Sequence, residues 1–282
     1  MERRAQIFLE LKNFVDPKAN ITEVASSDLV CCKQTHMVQS VLEAMIKSGA
    51  SKMPVTTKQG RLVGMVSALD ILDFLGAGPK HEVFVLNKRK TDQQIRKIMV
   101  KDVISSNRVH TVSRALEDFK KHRRGTHPIV HRGSLVGMLH ERDFATRINE
   151  PLGIDVGELM VRRPIVAKEA FTIEETAKLM CRGGFKNLPV TDKNIYLGMV
   201  TPLDILSYLH KNNMLYRLRK ASRKVTRAMD REAVVMHPQD DLYEAVLVMK
   251  RNKTNILPVV EDEELVGILS ARDIVDSFVL PE

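Results

Sequence analysis

A proline that opens a short apolar run recurs four times along the chain, in Met53-Pro54-Val55, His127-Pro128-Ile129-Val130, Leu188-Pro189-Val190 and Leu257-Pro258-Val259-Val260. Each run is followed by a glycine between hydrophobic residues: Gly64, Gly137, Gly198 and Gly267, lying 10, 9, 9 and 9 residues after their prolines. Six residues beyond each glycine stands an aspartate: Asp70, Asp143, Asp204 and Asp273. Thirteen residues before each proline an apolar helical pattern recurs, as in Val41-Leu42-Glu43-Ala44-Met45 and Ala245-Val246-Leu247-Val248-Met249. Self-similarity at fixed spacing identifies a repeated supersecondary unit and overrides any reading of the chain as one undivided domain.

One copy reads as a short strand, a helix with apolar residues at i, i+3 and i+4, an apolar strand after the proline, a turn, a strand through the glycine, and a closing helix. The expected class is α+β, with four β-α-β-β-α units. Polar tetrads such as Lys58-Gln59-Gly60-Arg61 and His131-Arg132-Gly133-Ser134 separate the two later strands, which is a hairpin signal. The copies alternate in kind. Copies one and three read Gly-Met-Val-Ser-Ala-Leu-Asp and Gly-Met-Val-Thr-Pro-Leu-Asp, whereas copies two and four carry arginine before the aspartate, as Glu141-Arg142-Asp143 and Ala271-Arg272-Asp273. Corresponding prolines lie 135 and 130 residues apart (54 to 189, 128 to 258), so the larger repeat is a pair. The expected modules are residues 1–150, with units at about 20–76 and 95–148, and residues 151–282, with units at about 154–211 and 224–280.

Composition narrows the function classes. A chain that is 44% hydrophobic and 28% charged, without low-complexity tracts, is expected to fold throughout. The N-terminal residues read as a short amphipathic helix lacking a signal-peptide core, and no run is long enough to span a bilayer. Cys31, Cys32 and Cys181 are an odd number with no zinc spacing, which points to a reducing, cytoplasmic setting and no structural metal. No GxSxG, HExxH, P-loop or GxGxxG occurs, so no enzyme is expected and no catalytic residue is assigned. The net charge of +9 fits anionic ligands, an acidic partner or nucleic acid. Its densest stretch, Arg217 to Arg227, reads first as a solvated linker helix and second as a nucleic-acid patch.

The element hydrophobic-Gly-hydrophobic-[Ser/Thr]-x-x-Asp, met at Ser67 to Asp70, Thr201 to Asp204 and Ser270 to Asp273, with His140 at the hydroxyl position of copy two, resembles the CBS domain family. The tandem pairing resembles its Bateman modules. Four units without a catalytic domain are similar to the nucleotide-sensing γ subunits of AMP-activated kinase and their stand-alone prokaryotic relatives. The resemblance implies two modules able to form a flat disc, clefts for AMP, ADP or ATP (S-adenosylmethionine being a further adenosine ligand), and a regulatory role toward a protein partner. A homodimer is compatible with it. It also implies that the aspartate holds ribose, while the hydroxyl and nearby basic side chains hold phosphate.

Carried onto this sequence, the expected nucleotide-binding residues are Lys52, Ser67, Asp70, His140, Arg142, Asp143, Lys186, Thr201, Asp204, Ser270, Arg272 and Asp273. Lys186 alone matches the basic residue three before the proline; Ser51, Gly125 and Asn255 do not. The same [Ser/Thr]-x-x-Asp is also a helix capping box, in which hydroxyl and carboxylate satisfy the helix's own N–H groups, and both readings stand at this level. His127 is a second candidate phosphate donor or a core residue, and Lys120 to Arg124 are cations at a helix C-terminus or beside a cleft. The competing functions are a nucleic-acid-binding protein using its basic surface and a scaffold with empty clefts.

Overall fold

The computed structural model describes residues 9–26, 29–78, 90–215, 218 and 222–279. In chain order the elements are β1 (Leu9–Glu10), β2 (Cys32–Lys33), α1 (Val38–Ser48), β3 (Lys52–Thr56), β4 (Leu62–Ser67), α2 (Ala68–Leu72), β5 (Ser106–Asn107), α3 (Val112–His122), β6 (Thr126–His131), β7 (Ser134–His140) and α4 (Glu141–Ala145). The second half runs α5 (Val156–Leu159), β8 (Val161–Arg162), β9 (Ala167–Lys168), α6 (Ile173–Gly183), β10 (Leu188–Asp192), β11 (Ile195–Val200), α7 (Pro202–Lys211), α8 (Leu242–Asn252), β12 (Ile256–Glu261), β13 (Glu264–Ser270), α9 (Ala271–Ser277) and β14 (Phe278–Val279). The α+β class and the fourfold β-α-β-β-α unit are as the repeat predicts. In each copy the first short strand pairs parallel with the proline strand, which pairs antiparallel with the glycine strand. Copy four replaces the first strand by a single parallel bridge, Met236 to Val259.

The first helix of each copy buries one face at i, i+3, i+4 and i+7: Val38, Val41, Leu42 and Met45; Val112, Ala115, Leu116 and Phe119; Ile173, Thr176, Ala177 and Met180; Leu242, Ala245, Val246 and Met249. Each large side chain so buried contributes roughly 1.5 to 3 kcal/mol of transfer free energy, which holds the helix on its sheet. His127, fully buried, stacks on Phe119 with ring centroids 4.2 Å apart, and so belongs to this core rather than to a binding surface.

The chain divides into two compact units, one of Met1–Leu29, Ile104–Pro164 and Val234–Glu282, the other of Val30–Val103 and Ile165–Ala233. The first holds copies two and four, with closing helices α4 and α9 packed together; the second holds copies one and three, with α2 on α7. The alternation seen in the sequence follows this grouping. Where copies two and four have Arg142 and Arg272, copies one and three have Leu69 and Leu203, both packed on the core of their unit. These units cut across the sequential halves at 150, because the closing helices pair copy two with copy four and copy one with copy three, while each lead lies in the unit of the copy it packs on.

The four leads follow one rule. A one-turn helix begins with a fully buried aliphatic residue (Ile21, Ile95, Val156, Val225) beside the N-cap of another copy's first helix. The bridges are Asn20 to Thr111, Gln94 to Met37, Asp155 to Asp241, and Lys224 to Thr172. The lead then crosses that copy's glycine strand: Ser26 bridges Met138, Val100 bridges Met65, Arg162 pairs with Gly267, and Asp230 bridges Met199. Leads thus exchange between copies one and two, and between three and four. Glycine is needed at the crossing because a Cβ on Gly64 would stand 2.8 Å from Val100 O and 2.9 Å from Met99 Sδ, and one on Gly267 would stand 2.6 Å from Met160 Sδ. At two of the four crossings a methionine of the lead, Met99 or Met160, and the glycine of the motif, Gly64 or Gly267, are two sides of one contact.

The N-terminal amphipathic helix read from the sequence falls partly outside the described residues. Where it is described, Leu9–Glu10 is strand, pairing parallel with Phe278–Val279, and Leu11–Asn13 is a single 3-10 turn. No described helix is long and apolar enough to cross a membrane.

Candidate nucleotide site

Each glycine strand ends at the residue that caps the closing helix. Ser67, Thr201 and Ser270 are N-caps with extended backbone, and each hydroxyl accepts from the aspartate N–H three residues on, at 3.2, 3.2 and 3.4 Å. The aspartate returns the bond. Its Oδ2 accepts from the cap's backbone N–H at 3.0, 2.8 and 2.9 Å and from the cap hydroxyl at 2.6, 2.7 and 2.5 Å, for Asp70, Asp204 and Asp273 respectively. In copy two Asp143 Oδ2 accepts from His140 N–H at 2.8 Å, while the His140 imidazole lies 3.3 Å from Thr126 Oγ1. The capping box is therefore present in the structure, and it occupies one carboxylate oxygen. For Asp143 and Asp204 no hydrogen bond reaches Oδ1 among the described residues, so that oxygen keeps its acceptor capacity.

The helix ends hold fewer free amides than the motif alone suggests. The first helical N–H is taken by a carbonyl three residues before the proline: Ala68 donates to Ser51 O at 2.8 Å, Glu141 to Gly125 O at 3.4 Å, and Ala271 to Asn255 O at 2.9 Å. Copy three differs, because Pro202 has no N–H at that place and the residue three before Pro189 is Lys186. Lys186 is exposed in the bend ahead of β10. Lys52 stands directly across the strand pair from Ser67, on the same face of the sheet.

Burial decides the electrostatics of two carboxylates. It pushes Asp143 up to about 6, against the lowering effects of the His140 N–H, Arg142 and Arg147. It also pushes Asp204 above its ordinary value, opposed by the bonds from Thr201 and assisted by the negative charge of Asp230. In both, burial outweighs the compensation that the described residues provide, and any further donated hydrogen bond would favour the ionised form.

The two arginines expected at phosphate are engaged across the pair of copies two and four. Arg272 Nε donates to Glu141 Oε1 at 2.8 Å and its Nη2 to Arg123 O at 2.9 Å; Arg142 Nη1 donates to Lys253 O. Arg123 and Lys253 are the left-handed C-caps of α3 and α8, so each arginine satisfies an end carbonyl of the facing copy's first helix. Burial also holds Arg142 below its ordinary pKa. The run Lys120 to Arg124 serves the same junction: Lys120 Nζ donates to Phe278 O, and Arg123 pairs with Asp276 at 3.4 Å. Sequence reasoning missed this clamp, although the arginine-for-leucine alternation was its signal.

Among the described residues no three His, Cys, Asp or Glu stand together as metal ligands. Cys31, Cys32 and Cys181 form no disulfide with one another, and burial pushes Cys32 up to about 12.

The CBS domain family model matches residues 21–77, 95–150, 156–211 and 224–280. Protein MJ1225 of Methanocaldococcus jannaschii is 25% identical over 268 residues, covering 89% of this chain and 95% of that protein. Its crystal structure superposes with a TM-score of 0.82 at 24% identity, over 92% of this chain and 99% of that one. A 33.4 kDa protein of the ribosomal RNA operon of Thermofilum pendens is 24% identical over 253 residues, 84% of this chain and 83% of its own length. A conserved protein of Pyrococcus horikoshii has the same fold at a TM-score of 0.57 and 19% identity, over 92% of this chain and 99% of that one. With four matched segments that together span most of its length, each carrying the glycine crossing and the capped aspartate, the chain belongs to the CBS domain family and consists of four CBS domains in one polypeptide.

Proposed function

We propose that this protein is a non-catalytic sensor of adenine nucleotides, AMP, ADP or ATP, acting through the capped aspartates of its CBS domains. The observation that carries the reading is the divided use of the carboxylate. One oxygen closes the helix cap, and in Asp143 and Asp204 the other is left in a desolvated setting that favours a donor such as a ribose hydroxyl. Cap and ligand roles are thus compatible in one residue. Around the carboxylates, Lys52, Lys186 and His140 supply phosphate donors, the cap hydroxyls of Ser67, Thr201 and Ser270 would join them only by releasing the aspartate oxygen to which each now donates its one proton, and Asp70 and Asp273 repeat the ribose role. MJ1225 is described as a candidate archaeal homologue of g-AMPK, and the role proposed for this chain is of the same kind. CBS domains are generally regulatory, and we assign this chain binding without catalysis, in the cytoplasm, toward a protein partner or a second copy of itself.

The exchange of leads between copies one and two, and three and four, supports two Bateman modules with a boundary near residue 150. The arginine clamp supplies the coupling. A phosphate that recruits Arg142 or Arg272 competes with Lys253 O, Arg123 O and Glu141, so ligand would loosen the α4–α9 pairing. A ligand can shift that equilibrium only by its differential affinity for the clamped and released states. The test is a thermal-shift panel of AMP, ADP, ATP and S-adenosylmethionine. A raised melting temperature with at least one is expected, and no shift with any adenosine compound would leave the scaffold reading.

A further inference from the structure

The lead into copy four carries a charge that the fold does not require. Its residues Arg223, Lys224, Thr226, Arg227, Met229 and Arg231 line an open hollow of about 770 Å³, within the size range of ligand sites. Lys224 pairs with Glu169 at 2.9 Å, whereas Arg223, Arg227 and Arg231 are exposed and have no ion pair or side-chain hydrogen bond among the described residues. The other leads provide an internal control. Aligned on the buried residue that starts each one-turn helix, the places of Arg223, Lys224 and Arg227 are held by Ala19, Asn20 and Glu23 in the lead of copy one, and by Ile154, Asp155 and Glu158 in that of copy three. All make the same bridge to a neighbouring N-cap, with neutral, acidic or basic residues alike. The fold therefore tolerates either sign of charge at the places of Arg223, Lys224 and Arg227, whereas a cation at the place of Arg231 recurs as Lys101 and Arg162 in the leads of copies two and three; what sets this lead apart is the addition of unpaired Arg223 and Arg227 around the same concavity.

We propose that this hollow is an anion site for a linear oligophosphate chain, separate from the capped aspartates. Planar guanidinium groups bind phosphate oxygens bidentately, and three of them facing one space suit consecutive phosphates better than a single one. The Thr226 hydroxyl adds a neutral donor. Among the described residues no Phe, Tyr, Trp or His lines the hollow, so they offer no platform on which a base could stack, and this favours the phosphate chain over single-stranded nucleic acid.

The test uses the full chain with sodium tripolyphosphate as probe, followed by calorimetry, with inorganic phosphate and a single-stranded oligoribonucleotide as comparisons. Wild type is expected to bind tripolyphosphate, more tightly than inorganic phosphate, with affinity falling as salt rises. The variant R223A/R227A/R231A should melt like wild type and lose at least about tenfold in affinity, while R223K/R227K/R231K retains most of it. The variant D204A/D273A should bind the probe unchanged. Tripolyphosphate binding that survives in the arginine triple variant, or that is lost only in D204A/D273A, overturns the proposal; the latter places the anion at the nucleotide junction instead. Oligoribonucleotide that binds wild type and is not displaced by tripolyphosphate also overturns it. A failure of AMP to bind at all leaves these outcomes readable, because none of them depends on the nucleoside.

Discussion

Gly198→Ala should be among the most damaging single-methyl additions this chain can receive. Gly198 sits at φ +150°, a backbone conformation L-residues rarely adopt, and a Cβ there would stand 2.3 Å from Asp230 O and 3.1 Å from the Asp230 carbonyl carbon. The clash is with backbone of the lead, which is itself fixed by paired bonds between Met199 and Asp230 at 2.9 and 2.7 Å, so no rotamer change relieves it. Strain at such a φ costs about 1 to 3 kcal/mol and overpacking about the same, giving an expected loss of roughly 3 kcal/mol or more. Gly64→Ala meets Val100 O at 2.8 Å and the more yielding Met99 at 2.9 Å without the φ penalty, and should cost about 1 to 3 kcal/mol. Gly137→Ala meets nothing nearer than Ile129 Cδ1 at 3.3 Å, with Ile129 Cβ and Ser26 O at 3.6 Å, and should cost less than about 1 kcal/mol. Because the chain has two compact units, the assay is the order of melting temperatures by calorimetry rather than a two-state free energy. The expected order of damage is Gly198→Ala, then Gly64→Ala, then Gly137→Ala. A neutral Gly198→Ala, or a Gly137→Ala equally severe, would refute the crossing of leads at the glycines.

Two further outcomes concern charge. Asp143 is raised in the folded chain from 3.8 to about 6, so its contribution to stability is present below pH 3.8 and is lost as pH rises through 6. Asp143→Asn should therefore stabilise the protein near pH 7.5 by about 1 to 3 kcal/mol, a gain that disappears toward pH 4; urea denaturation at both values checks it. Arg272→Ala strands the carboxylate of Glu141, whose side chain is only 11% exposed, and should cost about 1 to 3 kcal/mol after allowance for the partly exposed arginine. Adding Glu141→Gln should recover part of that loss in thermal melts, whereas strictly additive losses would mean the pair is not coupled.

Much of this was legible in the residues because it is local. The i, i+3, i+4, i+7 faces, the Pro-strand hairpins and the [Ser/Thr]-x-x-Asp caps each follow from spacing within one copy. What was not legible is pairing between distant segments. Nothing near Met160 says that it lies on Gly267 rather than on its own copy, although methionine and glycine recurring together were the trace of that contact. Arg142 and Arg272 were read as phosphate ligands because a cation beside a capped aspartate fits that role, and only the facing helix ends show another partner for them. The strand at Leu9–Glu10 escaped for the same reason, since its partner Phe278–Val279 lies at the other end of the chain. Burial of Asp143 and Asp204, which sets their chemistry, is likewise a property of neighbours brought by the fold.

The claim on which the functional account turns is that a sugar meets the second oxygen of a capped aspartate, and calorimetric titration with AMP and 2′,3′-dideoxy-AMP tests it directly. Wild type should bind AMP at least about tenfold more tightly than the dideoxy analogue, reflecting about 1.4 kcal/mol or more from the lost hydroxyl bonds, and D204A should lose much of that discrimination along with affinity. Equal affinity for the two nucleotides, with D204A indistinguishable from wild type, would contradict the account and leave the aspartates as helix caps alone.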